Sequence, residues 1–165
     1  MEDFKFYMKR VVTLEDGTES VGEEQDMLTL FKGMQYKEAK GINKYGKPKT
    51  YTETYAESSE ADVFVTPERE QTDITLTLYF FAPTKTGNDR TDYDAADKIY
   101  HDFMEFVSGC KIIYRDNFRK RKVKMFLADA TEPTTDRLYG IPYKEVQFKF
   151  KNIYGQSFPL DDTTF

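Results

Sequence analysis

The stretch Thr72-Asp-Ile-Thr-Leu-Thr-Leu-Tyr-Phe-Phe-Ala82 carries the clearest structural signal in the chain. Its apolar residues alternate with polar ones, so that every second side chain falls on the same face of an extended segment. The apolar face holds Ile74, Leu76, Leu78 and Phe80, and the other face holds Thr75, Thr77 and Tyr79. This period of two predicts a β-strand with one face in the core.

The same pattern recurs near the C-terminal end, in residues 143–154. Val146, Phe148 and Phe150 alternate with charged and amide side chains, which predicts a second strand with one buried and one solvated face. Two further runs, 111–115 and 121–127, flank a turn near Asp116 and predict a hairpin. Shorter strands are predicted at residues 4–12, 27–31 and 61–66.

Residues 92–108 have a different period, which predicts the one helix of the fold. Apolar residues recur at steps of three and four and form a stripe along one side. The stripe consists of Tyr93, Ala96, Ile99, Tyr100, Phe103, Phe106 and Val107. Thr91 and Asp94 resemble a capping box at its start, and Gly109 is the expected stop.

The order of these elements is strands, helix, hairpin and strand, without the one-for-one alternation of a parallel α/β fold. We therefore predict an α+β, mainly β protein: an antiparallel β-sandwich or rolled sheet with one flanking α-helix. A length of 165 residues predicts a single domain, 1–165. Its 14 Phe and 12 Tyr exclude a disordered chain. One Cys excludes an internal disulfide, and one His excludes a His-rich metal site.

Residues 33–60 form a polar, glycine-punctuated segment, which predicts a long loop of the kind that carries interfaces. Its tyrosines, Tyr36, Tyr45, Tyr51 and Tyr55, supply large contact areas at low entropic cost and are candidate subunit-interface residues. Residues 155–165 are predicted to form an extended tail, partly ordered through Phe158.

Charge is distributed unevenly along the chain, whose net charge is −5. Residues 1–110 have 22 acidic and 13 basic side chains, a net of −9, whereas residues 111–165 have 7 acidic and 11 basic, a net of +4. Such asymmetry suits head-to-tail attraction between copies, although two merely solvated faces would have the same composition. Residues 15–26 hold six acids and no base, which predicts a solvated loop. A cation site is the alternative, although the spacing of a calcium loop is missing.

The densest basic patch lies on the predicted hairpin and completes the candidate subunit-interface residues. It comprises Arg119, Lys120, Arg121, Lys122 and Lys124. Three interpretations fit this patch: an acidic protein neighbour, nucleic acid, or a solvated hairpin. Aromatic residues interleave with it, as in single-strand binders, but the negative net charge opposes a nucleic-acid role.

No catalytic motif is visible, so we expect no enzymatic activity, no cofactor and no metal. His101 on the predicted helix is interpreted as structural. Cys110 follows the C-terminus of the predicted helix, the end of the helix dipole that does not favour a reactive thiolate, so a nucleophilic role is not expected. The N-terminal residues lack a charged segment followed by an apolar run, so no signal peptide is predicted. A mean hydropathy of −0.71 and the absence of a long apolar run predict no membrane span.

The order of elements from Val63 to Tyr154 resembles the core of phage tail-tube-type proteins, in particular the N-terminal domain of distal tail proteins. The resemblance rests on the strand 74–81, the helix 92–108, the hairpin 111–127 and the strand 146–154, preceded by the long segment 33–60.

This resemblance implies a non-enzymatic structural subunit, either a distal tail or a tail tube component. Such subunits form a ring, commonly a hexamer, around a channel through which DNA passes transiently. The partners would be copies of itself and other tail proteins, in a virion tail whose parts are made in the host cytoplasm. A different interpretation is a small soluble binding module that uses loop 33–60 to grip a protein or carbohydrate ligand.

Overall fold

A computed structural model describes residues 4–54 and 61–165, and for residues 51–54 and 61–65 it describes the backbone alone. The strands are β1 (Phe6–Thr13), β2 (Glu19–Val21), β3 (Gln25–Asp26), β4 (Met34–Lys40), β5 (Pro48–Thr54), β6 (Ala61–Arg69), β7 (Thr72–Phe81), β8 (Lys111–Asp116), β9 (Arg121–Ala130), β10 (Thr134–Leu138), β11 (Ile141–Asn152) and β12 (Phe158–Pro159). The helices are α1 (Met27–Leu30) and α2 (Asp89–Val107). The protein is α+β and mainly β, as predicted.

A large antiparallel sheet has the strand order β2-β1-β8-β9-β11-β7-β4. Its longest pairing joins β11 to β7, in continuous register from Tyr143 opposite Phe81 to Asn152 opposite Thr72. These are the two segments whose alternation was clearest, and both strand predictions are confirmed. The predicted hairpin is also confirmed, as β8 and β9.

The sheet rolls so that its two ends approach one another. β1 and β4 lie far apart in the strand order, yet the rings of Phe6 and Tyr36 are 6.2 Å apart. Phe4, just before β1, stacks on Tyr36 with ring centroids 5.2 Å apart. The result is a rolled sheet with a closed interior.

The roll closes where the β8–β9 turn meets β4, a place that we call the seam. Asp116 lies there and is 3% exposed. Its carboxylate accepts hydrogen bonds from the Tyr114 hydroxyl (3.1 Å), the Arg119 guanidinium (2.7 Å) and the Arg119 backbone N–H (2.8 Å). Arg119 in turn donates to the Ala39 carbonyl of β4 at 3.2 Å. Burial, and then the Asp116 charge, raise the pKa of Tyr114 well above its ordinary value. The β8–β9 turn is thereby tied to β4.

Helix α2 packs on β7 and β11 through its apolar stripe. Phe103 lies 5.0 Å from Phe148 and 6.1 Å from Phe80, measured between ring centroids, and all three are fully buried. Lys144 of β11 is also buried beneath the helix, where it donates to the Asp97 carboxylate. Its burial opposes ionisation, but the hydrogen bonds to Asp97 and Tyr93 raise the pKa of Lys144 above its ordinary value.

Two local predictions need correction. The helix predicted at about 92–108 begins at Asp89, because the Asn88 side chain accepts the Thr91 backbone N–H at 3.1 Å and acts as the N-cap. Residues 27–31 do not form a strand. They contain the helical turn α1, since the Asp26 carboxylate accepts the backbone N–H of Leu28 and caps that turn.

The segment 33–60, predicted as a long loop, contains strands β4 and β5. β4 pairs with β7 at the end of the large sheet, with a bulge between Tyr36 and Glu38 that shifts the alternation. An edge strand is partly solvated on both faces and carries charged residues, so its sequence lacks the signal of a central strand.

The tail at 155–165 is not simply extended. Only β12 is a strand, and it pairs with β9. The chain then turns so that Phe165 stacks on Tyr154, with ring centroids 5.6 Å apart, and meets Phe158 edge-on at 5.3 Å. Clustering of these three aromatic rings is the physical reason for the turn.

Candidate functional site

The β5–β6 hairpin, which we call the arm, is the least supported element of the described structure. Its strands pair with each other from Thr54 opposite Ala61 to Pro48 opposite Arg69, and they form a two-stranded sheet separate from the large one. An isolated two-stranded hairpin is only marginally stable in water. Its outer edges also carry backbone N–H and C=O groups that can pair with another chain. The arm is therefore a candidate interaction surface.

The root of the arm is fastened to the rolled sheet. The Gly46 N–H donates to the Gly155 carbonyl at 2.7 Å, and Arg69 donates to the Gly46 carbonyl at 2.9 Å. A Cβ at Gly46 would lie 2.0 Å from the Glu70 carbonyl oxygen, so this close backbone approach requires glycine. A firm root gives the arm a defined direction.

The four candidate tyrosines do not form one cluster in the described structure. Tyr36 is half-buried at the seam of the roll, where its hydroxyl accepts from Arg119 at 3.3 Å. Tyr45 is exposed at the arm root, with the Arg69 guanidinium 5.0 Å from its ring centroid. The backbone of Tyr51 lies in β5, while its side chain and the whole of Tyr55 lie outside the described residues.

Four of the five basic candidates make contacts within the chain. Arg119 binds Asp116, as described above, and Arg121 donates to the Ser157 hydroxyl at 2.9 Å. Lys122 is buried and donates to the main-chain oxygens of Asp162 and Phe165 at 2.5 and 2.6 Å. Lys124 is also buried and pairs with Glu19. The fifth, Lys120, has a φ of 55° and is exposed at the turn.

The acidic segment 15–26 lies against the basic hairpin, and it is not simply a solvated loop. It includes β2 and β3, both paired with β1. Glu19 binds Lys111 and Lys124 at 2.7 Å each, and Glu24 binds Arg115 at 3.0 Å. Much of the charge asymmetry seen in the sequence is thus neutralised inside one molecule.

Glu19 is expected to make the stability of the protein depend on pH in the acid range. Hydrogen bonds from Lys111 and then Lys124 lower the pKa of Glu19 from 4.5 to about 2. Because the pKa is lower in the folded state, the stabilisation is complete above the unfolded value and disappears as the pH falls from about 5 toward 2. The melting temperature of Glu19→Gln should therefore lie below that of the wild type near neutral pH and converge with it in acid.

Glu23→Gln is the matched control for this measurement. Glu23 is exposed, lies in the same segment and makes no ion pair with the residues described. Its melting temperature should follow that of the wild type at every pH. A Glu19→Gln deficit that stayed constant down to the lowest pH would contradict the assignment.

Sequence analysis missed two features at opposite ends of β11. Tyr139, in the turn between β10 and β11, is 92% exposed. At the other end, a cleft of about 380 Å³ lies beside the arm root and is lined by Lys49, Pro67, Glu68, Arg69, Tyr154 and Gln156, together with Ile153. The Tyr139-Gly140 pair between two strand-like segments was a signal for the turn, whereas only the fold brings the lining residues of the cleft together.

His101 and Cys110, the two residues considered for catalysis in the sequence, each make a local contact in or beside α2. His101 is exposed on α2, 3.4 Å from Asp97, and Cys110 is half-buried with its sulfur 3.7 Å from the Phe106 carbonyl. Across residues 4–54 and 61–165, no group of three or more His, Cys, Asp or Glu side chains is arranged to hold a metal ion. Neither helix of the described structure is both long enough and apolar enough to cross a membrane.

The chain matches no protein-family model, and a search of curated proteins found no match. Its functional interpretation therefore depends on the geometry of the arm and on the resemblance in the order of elements.

Proposed function

We propose that this protein is a non-enzymatic structural subunit of a phage or phage-like tail, which assembles with copies of itself into a ring around a channel. The observation that carries the proposal is the arm, which has a firm root and whose two strands, among the residues described, pair only with each other. A neighbouring copy that covered the arm would supply the partner that an isolated hairpin lacks.

The resemblance supplies the rest of the proposal. A rolled antiparallel sheet with a helix on β7 and β11 agrees with the architecture expected of tail tube and distal tail subunits. Contacts between two different surfaces of the same chain generate a ring when the rotation closes. The resemblance to this family implies that six subunits form the ring. Other tail proteins would then stack on the ring, and DNA would pass through it.

Removing the arm tests this proposal. Residues 50–65 are replaced by Asn-Gly, a turn that joins neighbouring antiparallel strands, so that Lys49 and Thr66 are separated only by these two residues. The wild type should increase in mass from monomer to a closed oligomer between micromolar and millimolar concentration. The shortened chain should stay monomeric with a similar melting temperature, because the arm forms its own sheet.

Sedimentation velocity measures the mass of both proteins, and electron microscopy of the wild type should show rings with a central channel. Lys98→Ala, at an exposed position of α2 outside the arm and outside the candidate interface residues, is the control and should assemble like the wild type. A wild type that stays monomeric at the highest concentration would contradict the proposal. Oligomers that persist without the arm would contradict the role of the arm.

A further inference from the structure

Residues 155–165, which we call the C-terminal segment, fold back over a buried lysine of β9. Lys122 is 8% exposed, and its ammonium donates to two main-chain oxygens of the segment. It also lies 5.1 Å from the centroid of the Phe165 ring. Beside it, Arg121 donates to the hydroxyl and to the carbonyl of Ser157. The segment therefore covers two basic side chains of the β8–β9 hairpin.

The interactions that close the C-terminal segment are of modest net strength. Two of its residues, those of β12, pair with the first two residues of β9. The rings of Tyr154, Phe158 and Phe165 cluster at the surface, where Tyr154 is 37% exposed. The hydrogen bonds of the Lys122 ammonium replace hydration that it recovers when the segment opens, so their net contribution is small. Such an element opens locally while the core stays folded.

The beginning of this segment is locked to the arm root by a close backbone crossing, which we call the joint. The Glu70 carbonyl oxygen lies so near two glycines that a Cβ on Gly46 or Gly155 would be only 2.0 or 2.2 Å from it. The Gly46 N–H donates to the Gly155 carbonyl at 2.7 Å, and the Glu70 N–H donates to the Lys47 carbonyl at 2.8 Å. Three close-packed stretches of chain thus meet at the joint, and a displacement of one displaces the others.

Beyond the joint, the arm and the C-terminal part of the chain diverge. The cleft of about 380 Å³ lies between them, lined by arm residues on one side and by Ile153, Tyr154 and Gln156 on the other. This gap interrupts the packing of the two parts against each other. The joint is therefore the route by which one part responds to the other.

We infer that the joint couples the two parts, so that closure of the C-terminal segment over Lys122 holds the arm in the direction in which it binds a partner. Opening of the segment frees Gly155, and the Gly46 N–H at the arm root loses its acceptor. The arm then samples several directions, and its apparent affinity falls with the fraction that keeps the binding direction. By linkage, a partner that holds the arm also favours the closed segment. This regulation rests on the proposed function, since it acts on the arm as an interface.

Gly46→Ala tests the coupling in the monomer, at concentrations too low for assembly. The added Cβ would lie 2.0 Å from the Glu70 carbonyl oxygen, so the joint must open, while every residue around Lys122 stays the same. Acetylation by acetic anhydride, followed by mass spectrometry, measures the accessibility of each lysine. The acetylation rate of Lys122 should rise at least about fivefold, the lower end of typical couplings between sites.

Lys124 is the internal control for this measurement. It is buried on the same strand, but its ammonium is held by Glu19 and not by the C-terminal segment. Its acetylation rate should stay that of the wild type. Gly87→Ala, at a glycine where an added Cβ meets no atom within 4 Å, should change neither rate. An unchanged rate at Lys122, or an equal rise at Lys124, would overturn the inference.

Phe165→Ala tests the coupling in the opposite direction, because it removes a ring from the far end of the C-terminal segment. Amides of β5 and β6 should exchange hydrogen faster than in the wild type. Self-association measured by sedimentation velocity should weaken at least about fivefold. Leu14→Ala, which removes an exposed apolar side chain between β1 and β2, is the control and should change neither quantity. Unchanged exchange in the arm of Phe165→Ala would contradict the coupling.

The outcomes separate this inference from the proposed function. Coupled changes at Lys122 and in the arm of a protein that never assembles would support the coupling and reject the proposed function. Assembly that depends on the arm but is unchanged in Phe165→Ala would overturn the inference and leave the proposed function in place.

Discussion

Phe148→Ala is expected to lower the free energy of unfolding by about 3–5 kcal/mol, the usual cost of removing a fully buried phenylalanine. Phe148 lies between the helix and the sheet, with its ring centroid 5.0 Å from that of Phe103 and 6.1 Å from that of Phe80. Its loss leaves a cavity between α2 and the sheet, which the surrounding side chains can fill only in part. Urea denaturation followed by circular dichroism measures the change.

Gln147→Ala is the matched control, because Gln147 is the preceding residue of β11 and is exposed on the opposite face. It should change the free energy of unfolding by no more than about 0.5 kcal/mol. Equal losses for the two variants would show that β11 does not have the inner and outer faces described here.

Asp116→Ala is expected to lower the free energy of unfolding by about 3 kcal/mol, because it leaves the Arg119 guanidinium and the Tyr114 hydroxyl without their acceptor. The damage should be concentrated at the seam of the roll. Arg119 would lose the carboxylate that orients it toward the Ala39 carbonyl, so β4 should detach more readily than β7.

Hydrogen exchange resolves this second effect residue by residue. Amides of β4 should exchange faster in Asp116→Ala than in the wild type, by a larger factor than amides of β7. Asp161→Ala removes an exposed acid and should leave both strands unchanged. If amide exchange became faster by the same factor in every strand, Asp116 would stabilise the fold as a whole and would not specifically hold β4 in place.

Contacts of this kind also explain why the basic residues of the hairpin do not form the surface patch that the sequence suggested. Arg119, Arg121, Lys122 and Lys124 follow one another closely and read as a surface feature. Arg119, in the β8–β9 turn, binds Asp116 at the seam. The three residues of strand β9 contact the C-terminal segment and the acidic segment around Glu19. A one-dimensional pattern cannot distinguish a basic side chain that faces a partner from one that neutralises a distant acid in its own chain.

What the sequence determined by itself is the set of elements with strong periodicity. One face of each of β7, β11 and α2 is buried. Apolar residues therefore recur every second position in the strands and every three or four positions in the helix. The mainly β class followed from those elements and from their order.

Only the tertiary structure decided which distant residues meet. The closing of the roll at Tyr36 and Arg119, the pairing of Glu19 with Lys124, and the lining of the cleft beside the arm root all join segments far apart in the chain. Such contacts depend on strand order and sheet curvature. Those properties emerge from the packing of all the strands together, and no local spacing of residues records them.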